Sequence, residues 1–235
     1  MVEDFRGLIR QSLNETPHYS PITEDDGTLI DIYVTGDRLV TGIQQAMYRA
    51  DLIPLIPLVI HSTAAGDTGL LDAFVSQLVK VDGDDGGLYA STLCAEEVPF
   101  SSREEAMAKK ANLNAALTNP VYEVTSRLFF DLCDFWQVTP RPELESKAIT
   151  SDIPTLILAG EYDPATPPSN GEKASEKLSK SQYFLFNGLS HGILRAPSSE
   201  AGEVSCAMKM VLQFLDDPSA VVDGACASQL PGPFD

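Results

Sequence analysis

From residue 150 onwards the chain reads as strand, loop, helix, strand, loop and helix. Two short apolar runs, 153–159 (IPTLILA) and 182–186 (QYFLF), alternate with helix-like stretches at 171–180 and about 200–215. Continuous apolar runs of this length are typical of buried strands, and their alternation with helices predicts a parallel sheet with crossover helices. The fold class predicted for this region is therefore α/β.

The chain before residue 150 has a mainly helical pattern. Apolar residues recur at three- and four-residue spacing over 38–50, 67–81 and 102–117. Asp67 and either Ser101 or Ser102 are candidate N-caps for the last two helices.

Two further stretches of this part of the chain carry predictions. Residues 1–13 (MVEDFRGLIRQSL) indicate an amphipathic helix and lack the basic and apolar regions of a secretory signal, so the chain is expected to begin within a longer fold. The Gly/Asp-rich stretch at 82–87 is interpreted as a polar turn rather than a calcium loop.

The chain is strongly acidic, with 34 Asp and Glu against 16 Lys and Arg and a formal net charge of -18. Nucleic acid and anionic membrane surfaces would be repelled, so neither is expected as a partner. The longest apolar run, 52–60, is interrupted by Pro54 and Pro57 and is too short to cross a bilayer. No membrane-spanning helix is therefore expected.

The cysteines show no C-x-x-C spacing and no accompanying histidine cluster; they are Cys94, Cys133, Cys206 and Cys226. This pattern argues against zinc binding and dithiol redox chemistry, and no carboxylates have metal-site spacing, so no metal is expected. Two disulfides and four buried thiols both fit the spacing, and the disulfide pairing is left open.

A carboxylate and a histidine follow the two predicted strands. Asp163 lies in the loop GEYDPATPP, and His191 lies in the loop GLSHG. Because the carboxyl ends of parallel strands carry functional loops at one edge of the sheet, the two side chains are expected to meet there. An Asp that accepts the Nδ1 proton of a His leaves Nε2 free as a general base. An Asp-Pro turn beside an inert histidine is the alternative interpretation, and the joint placement favours the catalytic one.

The loop GLSHG also matches the G-x-S-x-G pattern of a hydrolase nucleophile elbow, with Ser190 as the serine. A nucleophile in such an elbow needs a base from a later loop, but the adjacent residue is His191 and no histidine follows. Ser190 is therefore not expected to be the nucleophile. Other serines lie in turn or cap contexts or lack flanking glycines: Ser91, Ser151, Ser169, Ser198 and Ser199.

Five segments resemble one family of enzymes. Residues 153–168 (IPTLILAGEYDPATPP) and GLSHG resemble the acid and histidine loops of the prolyl-aminopeptidase-like serine peptidases. Residues 205–226, with the ending PGPFD, resemble the carboxyl-terminal segment of the tripeptidyl aminopeptidase branch. Residues 94–100 (CAEEVPF) and 132–136 (LCDFW) resemble two further cysteine-bearing segments of that branch.

The resemblance implies a helical lid over residues 1–87 and the carboxyl-terminal part of an α/β-hydrolase fold over 88–235. It also implies the disulfides Cys94–Cys133 and Cys206–Cys226. Paired cysteines indicate an oxidising setting, so the expected location is extracytoplasmic, either secreted or periplasmic.

Lid carboxylates of such peptidases bind the ammonium group of the substrate, and Glu96 and Glu97 are the candidates here. A surface pair beside a strand is the alternative interpretation of these two residues. His18 and His61 are interpreted as structural residues of the lid.

The family's oxyanion loop has no counterpart in these residues, since Ser62 and Thr63 follow His61 where glycines are needed. The family's nucleophile elbow has no counterpart in them either. The resemblance thus implies a chain that supplies Asp163 and His191 to a triad whose serine lies on another polypeptide or an upstream segment. The complete enzyme would be a serine exopeptidase that cleaves a peptide or small ester without a cofactor.

Alone, the chain is expected to be inactive. A missing amino-terminal half and a homodimer formed through an exposed strand edge are the expected protein partners. The alternatives are a non-catalytic peptide- or protein-binding module on the same scaffold, and a truncated product without an independent role.

Overall fold

The computed structural model describes residues 5, 12–24, 26–78, 86–122, 127–143, 147–195 and 204–234. The chain packs as two compact units. Unit 1 consists of Met1–Gln44 and Pro57–Lys147, and unit 2 consists of Gln45–Ile56 and Ala148–Asp235. The predicted boundary between residues 87 and 88 concerns the family's lid, which this division does not test, and it stays a prediction.

Some predictions fall on other parts of the chain. Most of the helix predicted over 1–13, the end of the helix predicted over 67–81 and most of the turn predicted at 82–87 lie outside the described residues. Ser198 and Ser199 lie outside them as well.

Unit 1 begins with two short antiparallel strand pairs that the sequence pattern did not predict. Strand β1 (His18–Tyr19) pairs with β4 (Tyr33–Val34), and β2 (Ile22–Thr23) pairs with β3 (Leu29–Ile30). Strands of two residues are shorter than one period of apolar alternation, so no periodic pattern identifies them.

The rest of unit 1 is mainly helical in the part that the structure describes, as predicted, although no helix was predicted at 55–64, 86–92 or 128–136. The helices are α1 (Gly36–Ala46), α2 (Leu55–Ala64), α3 (Gly69–Leu78), α4 (Gly86–Thr92), α5 (Arg103–Lys110), α6 (Ala115–Val121) and α7 (Leu128–Trp136). A π-helical turn (Leu93–Glu97) and a 3-10 turn (Val98–Phe100) follow α4. The last two residues of α1, Gln45 and Ala46, and the first two of α2, Leu55 and Ile56, belong to unit 2.

The candidate cap Ser102 begins α5, where its hydroxyl oxygen accepts a hydrogen bond from the backbone N–H of Glu105 at 3.1 Å. The helix predicted over 102–117 is wrong in its length, because it is divided into α5 and α6. Two asparagines, Asn112 and Asn114, lie at the division, and asparagine favours turns and caps over helix interiors. Helix α2 was not predicted, although Pro57 lies in its first turn, where a proline removes no helical hydrogen bond.

Unit 2 has the predicted order of strand, helix, strand and helix. Strand β5 (Thr155–Gly160) and strand β6 (Ser181–Phe186) are parallel, in register from Thr155 opposite Ser181 to Gly160 opposite Phe186. Helix α8 (Pro168–Ser175) connects the two strands, and helix α9 (Cys206–Asp216) follows β6. Unit 2 is therefore an α/β unit.

The core of unit 2 lies where β6, α9 and the carboxyl-terminal segment meet. Its buried residues are Phe186, Ile193, Ala207, Met210, Val222 and Ala227. Both disulfides implied by the resemblance are formed: Cys206–Cys226 in unit 2 and Cys94–Cys133 in unit 1.

Candidate active site

The loops after β5 and β6 are joined by backbone hydrogen bonds. The N–H of Glu161 donates to the carbonyl of Phe186 at 3.1 Å, and the N–H of Tyr162 donates to that of Leu189 at 2.9 Å. The Glu161 carboxylate in turn accepts from the N–H of Gly188 at 2.9 Å. The carboxyl ends of the two strands thus place Asp163 and His191 side by side.

Asp163 is held by donors on every side. Its Oδ1 accepts from the backbone N–H groups of Ala165 and Thr166, both at 2.9 Å, and its Oδ2 accepts from the Thr166 hydroxyl at 2.7 Å. The His191 Nδ1 lies 3.1 Å from Oδ1 and 3.0 Å from Oδ2. With only 6% of its side chain exposed, this carboxylate has a fixed orientation.

The pKa of Asp163 lies below its usual value. Burial by itself raises the pKa, but hydrogen bonds from the N–H and hydroxyl of Thr166, from His191 and from the N–H of Ala165 lower it and prevail. Asp163 is therefore ionised at neutral pH.

His191 presents its two ring nitrogens to different surroundings. An ionised carboxylate only accepts hydrogen bonds, so Nδ1 facing Asp163 carries a proton. In neutral imidazole Nε2 is then the unprotonated nitrogen, and it makes no hydrogen bond to any residue that the structure describes. The side chain is 43% exposed, so Nε2 is available as a proton acceptor.

The glycines of GLSHG are required by the backbone rather than by an elbow. Gly188 has φ +68°, and a Cβ there would lie 2.0 Å from the carbonyl oxygen of Pro231. At the end of β5, a Cβ on Gly160 would lie 2.4 Å from the carbonyl oxygen of Ser190. Within the loop, Gly192 also has a left-handed backbone, with φ +74°, so the backbone requires both glycines that make the loop resemble a G-x-S-x-G motif.

Ser190 is 3% exposed, and its hydroxyl is directed at backbone carbonyls. It hydrogen-bonds to the carbonyl of Met47 and lies 3.2 Å from that of Tyr162. This placement supports the prediction that Ser190 is not the nucleophile.

A cavity of about 980 Å³ opens beside His191 within unit 2. One wall is the segment 48–51, in which Arg49 and Asp51 form an ion pair with a nitrogen–oxygen distance of 2.6 Å. The ring of Tyr48 contacts the His191 ring edge to face, with centroids 5.2 Å apart at 72°. The histidine loop also lines the cavity, together with Pro231 and Pro233.

Glu96 and Glu97 belong to unit 1 and lie in the π-helical turn. Glu96 is half-buried and pairs with Arg141 at 3.5 Å, and both residues line a separate cavity of about 450 Å³. Glu97 is exposed. Their assignment to substrate binding stays a prediction.

Sequence reasoning missed two residues of this site. Thr166 has a recognisable signal, because an Asp followed by Thr three residues later is typical of a side-chain-capped turn. Tyr48 has no such signal, since nothing in the helical pattern of residues 38–50 indicates contact with the loop that follows β6.

Two absences hold for the described part of the chain. It has no helix long and apolar enough to cross a membrane. Among the same residues, no three His, Cys, Asp or Glu side chains are arranged to hold a metal ion.

Comparison with known proteins gives a family match. The model of an α/β-hydrolase family described as TAP-like protein matches residues 119–226, which is less than half of the chain. No curated protein and no solved structure matches the chain significantly. The matched segment includes β5, β6 and both loops of the candidate site, and its similarity to the TAP-like α/β-hydrolases indicates a hydrolase-related function.

Proposed function

We propose that unit 2 supplies the acid and base of a serine hydrolase, with Asp163 as the orienting acid and His191 as the general base. The observation that carries the proposal is the Nδ1 contact of 3.0 Å with a locked, ionised Asp163, which leaves Nε2 free beside a cavity. The similarity of residues 119–226 to TAP-like proteins supports the same class of reaction.

In the proposed reaction Nε2 of His191 takes the hydroxyl proton of a serine as that serine attacks the substrate carbonyl. The resulting imidazolium is stabilised by the Asp163 carboxylate, which stays ionised. Nε2 then donates the proton to the leaving amine or alcohol. A water molecule repeats the sequence and releases the acyl group, which restores both residues.

The serine of this reaction is proposed to lie outside the described residues, on an upstream segment or another polypeptide. No hydroxyl of the described residues hydrogen-bonds to Nε2 of His191, and Ser190 is directed at backbone carbonyls. Because the sequence has no G-x-S-x-G elbow followed by a later histidine, the chain by itself is expected to lack activity.

Exopeptidase activity on peptides is proposed as the specific form of this hydrolysis. It rests on the resemblance of the acid loop, the histidine loop and the cysteine segments to aminopeptidases. An extracytoplasmic location is proposed with it, supported by Cys94–Cys133 and Cys206–Cys226, because disulfides persist in oxidising compartments.

Hydrolysis of a p-nitrophenyl ester and of an aminoacyl p-nitroanilide tests the proposal. The chain alone should be inactive, and co-expression with a segment that carries the serine elbow of a TAP-like hydrolase should give activity that His191→Ala abolishes. Activity that survives His191→Ala, in the chain alone or in the pair, would overturn the proposal. Peptide binding without hydrolysis, unchanged by His191→Ala, would instead indicate a binding module.

A further inference from the structure

We propose that Tyr48 is a positioning residue for His191, so that the segment 45–51 helps to orient the proposed general base. The inference rests on the proposed function of His191. It adds a residue that lies outside the family match over 119–226.

The hydrogen bond to Asp163 fixes only one end of the imidazole. The ring can still tilt about an axis through Nδ1, and its outer part is open, since the His191 side chain is 43% exposed. Such tilting would swing Nε2 away from the serine that it must deprotonate. A second contact on the ring is needed to define its plane.

Tyr48 provides that contact. Its ring meets the imidazole edge to face, with centroids 5.2 Å apart at an interplanar angle of 72°. Edge-to-face geometry is favourable because the positive edge of one ring meets the negative face of the other. The Tyr48 hydroxyl makes no hydrogen bond within the described part of the chain, so the ring itself provides the interaction.

Tyr48 is in turn held in place. The carbonyl of Met47 accepts a hydrogen bond from Ser190, which is adjacent to His191 in the chain. The turn that carries Tyr48 is closed by its own N–H bond to Gln45 at 3.1 Å, and the following Leu52 is 3% exposed. One segment therefore contacts both the Ser190 hydroxyl beside His191 and the His191 ring.

Nitrogen-15 NMR of the histidine side chains in the full chain tests the inference without requiring activity. The wild-type chain should show His191 with a protonated Nδ1 and an unprotonated Nε2 as neutral imidazole. Tyr48→Phe keeps the ring and should leave this signature unchanged. Tyr48→Ala and Tyr48→Leu should accelerate exchange of the Nδ1 proton with water about fivefold, as expected for loss of one aromatic contact.

Circular dichroism establishes that each variant is folded, and Tyr48→Leu, which removes less side-chain volume, remains informative if Tyr48→Ala unfolds. In the enzyme reconstituted with a serine-bearing segment, Tyr48→Leu should lower kcat with little change in KM, and Tyr48→Phe should restore kcat. Exchange of the Nδ1 proton in folded Tyr48→Leu that equals wild type overturns the inference. Absence of a protonated Nδ1 in the wild-type chain, or its persistence in Asp163→Asn, contradicts the His191–Asp163 assignment instead.

Discussion

Each unit contains a histidine–aspartate pair, and the two pairs are built in opposite ways. In unit 2 the acid is buried and the base is accessible, since 6% of the Asp163 side chain and 43% of the His191 side chain are exposed. In unit 1 the values are 47% for Asp72 and 22% for His18. The two pairs also use different nitrogens, Nδ1 in His191 and Nε2 in His18.

The difference fits the chemical role proposed for His191 and the structural interpretation of His18. Asp163 is fixed by three further hydrogen bonds from its own loop, whereas Asp72 lies in the first turn of α3 and connects that helix to β1. A base must reach substrate, so an exposed His on a buried acid suits catalysis. A half-buried His bonded to an exposed acid suits attachment of a strand to a helix, in line with the interpretation of His18 as structural.

The largest effect is expected from removing the charge of the buried acid. In Asp163→Asn the side-chain amide can donate to His191 Nδ1, which favours the tautomer with a protonated Nε2 and removes the base. The kcat of the reconstituted hydrolase should fall about 10⁴-fold. The matched Asp72→Asn should leave kcat unchanged. A comparable loss of kcat in both variants would contradict the proposed difference in role between the two pairs.

The next largest effect is on stability, from the disulfide of each unit. Cys94→Ala/Cys133→Ala opens a loop of sequence separation 39, and Cys206→Ala/Cys226→Ala opens one of 20. Loop-closure entropy predicts losses of about 4 and about 3 kcal/mol in the free energy of unfolding. Chemical denaturation of both variants measures them, and a larger loss for the shorter loop would show that packing in unit 2 outweighs chain entropy.

A smaller loss is expected from Gly160→Ala. Its Cβ would lie 2.4 Å from the Ser190 carbonyl oxygen, so the histidine loop must shift, at a cost of about 1–3 kcal/mol. Gly86→Ala in unit 1 is the matched control, because a Cβ there meets nothing within 4 Å. Denaturation curves that show equal stability for the two variants would contradict the close approach of the two loops.

The smallest effect concerns acid stability. The pKa of Asp163 is lowered on folding, so its contribution is fully present above the unfolded value of about 3.9 and is lost as the pH falls through the folded pKa. Thermal unfolding between about pH 5 and pH 2 should therefore decline less steeply in Asp163→Asn than in wild type. Parallel curves would mean that His191 and Thr166 do not stabilise the charged form.

The periodic parts of the fold followed from the sequence. The apolar runs that became β5 and β6 and the spacing that became α1 and α3 are local signals. The strands β1 to β4 were not predicted because two-residue strands have no periodic pattern. The division between α5 and α6 was not predicted because two asparagines outweighed the helical spacing of the apolar residues.

The sequence by itself determined that Asp163 and His191 follow neighbouring parallel strands and that Ser190 has no base, because chain order and alternation are written in the residues. Only the tertiary structure decided which distant residues surround the pair. The burial of Ser190 against the Met47 carbonyl and the contact of Tyr48 with His191 depend on packing. These contacts join segments far apart in the chain, and no local pattern encodes a distance between distant residues.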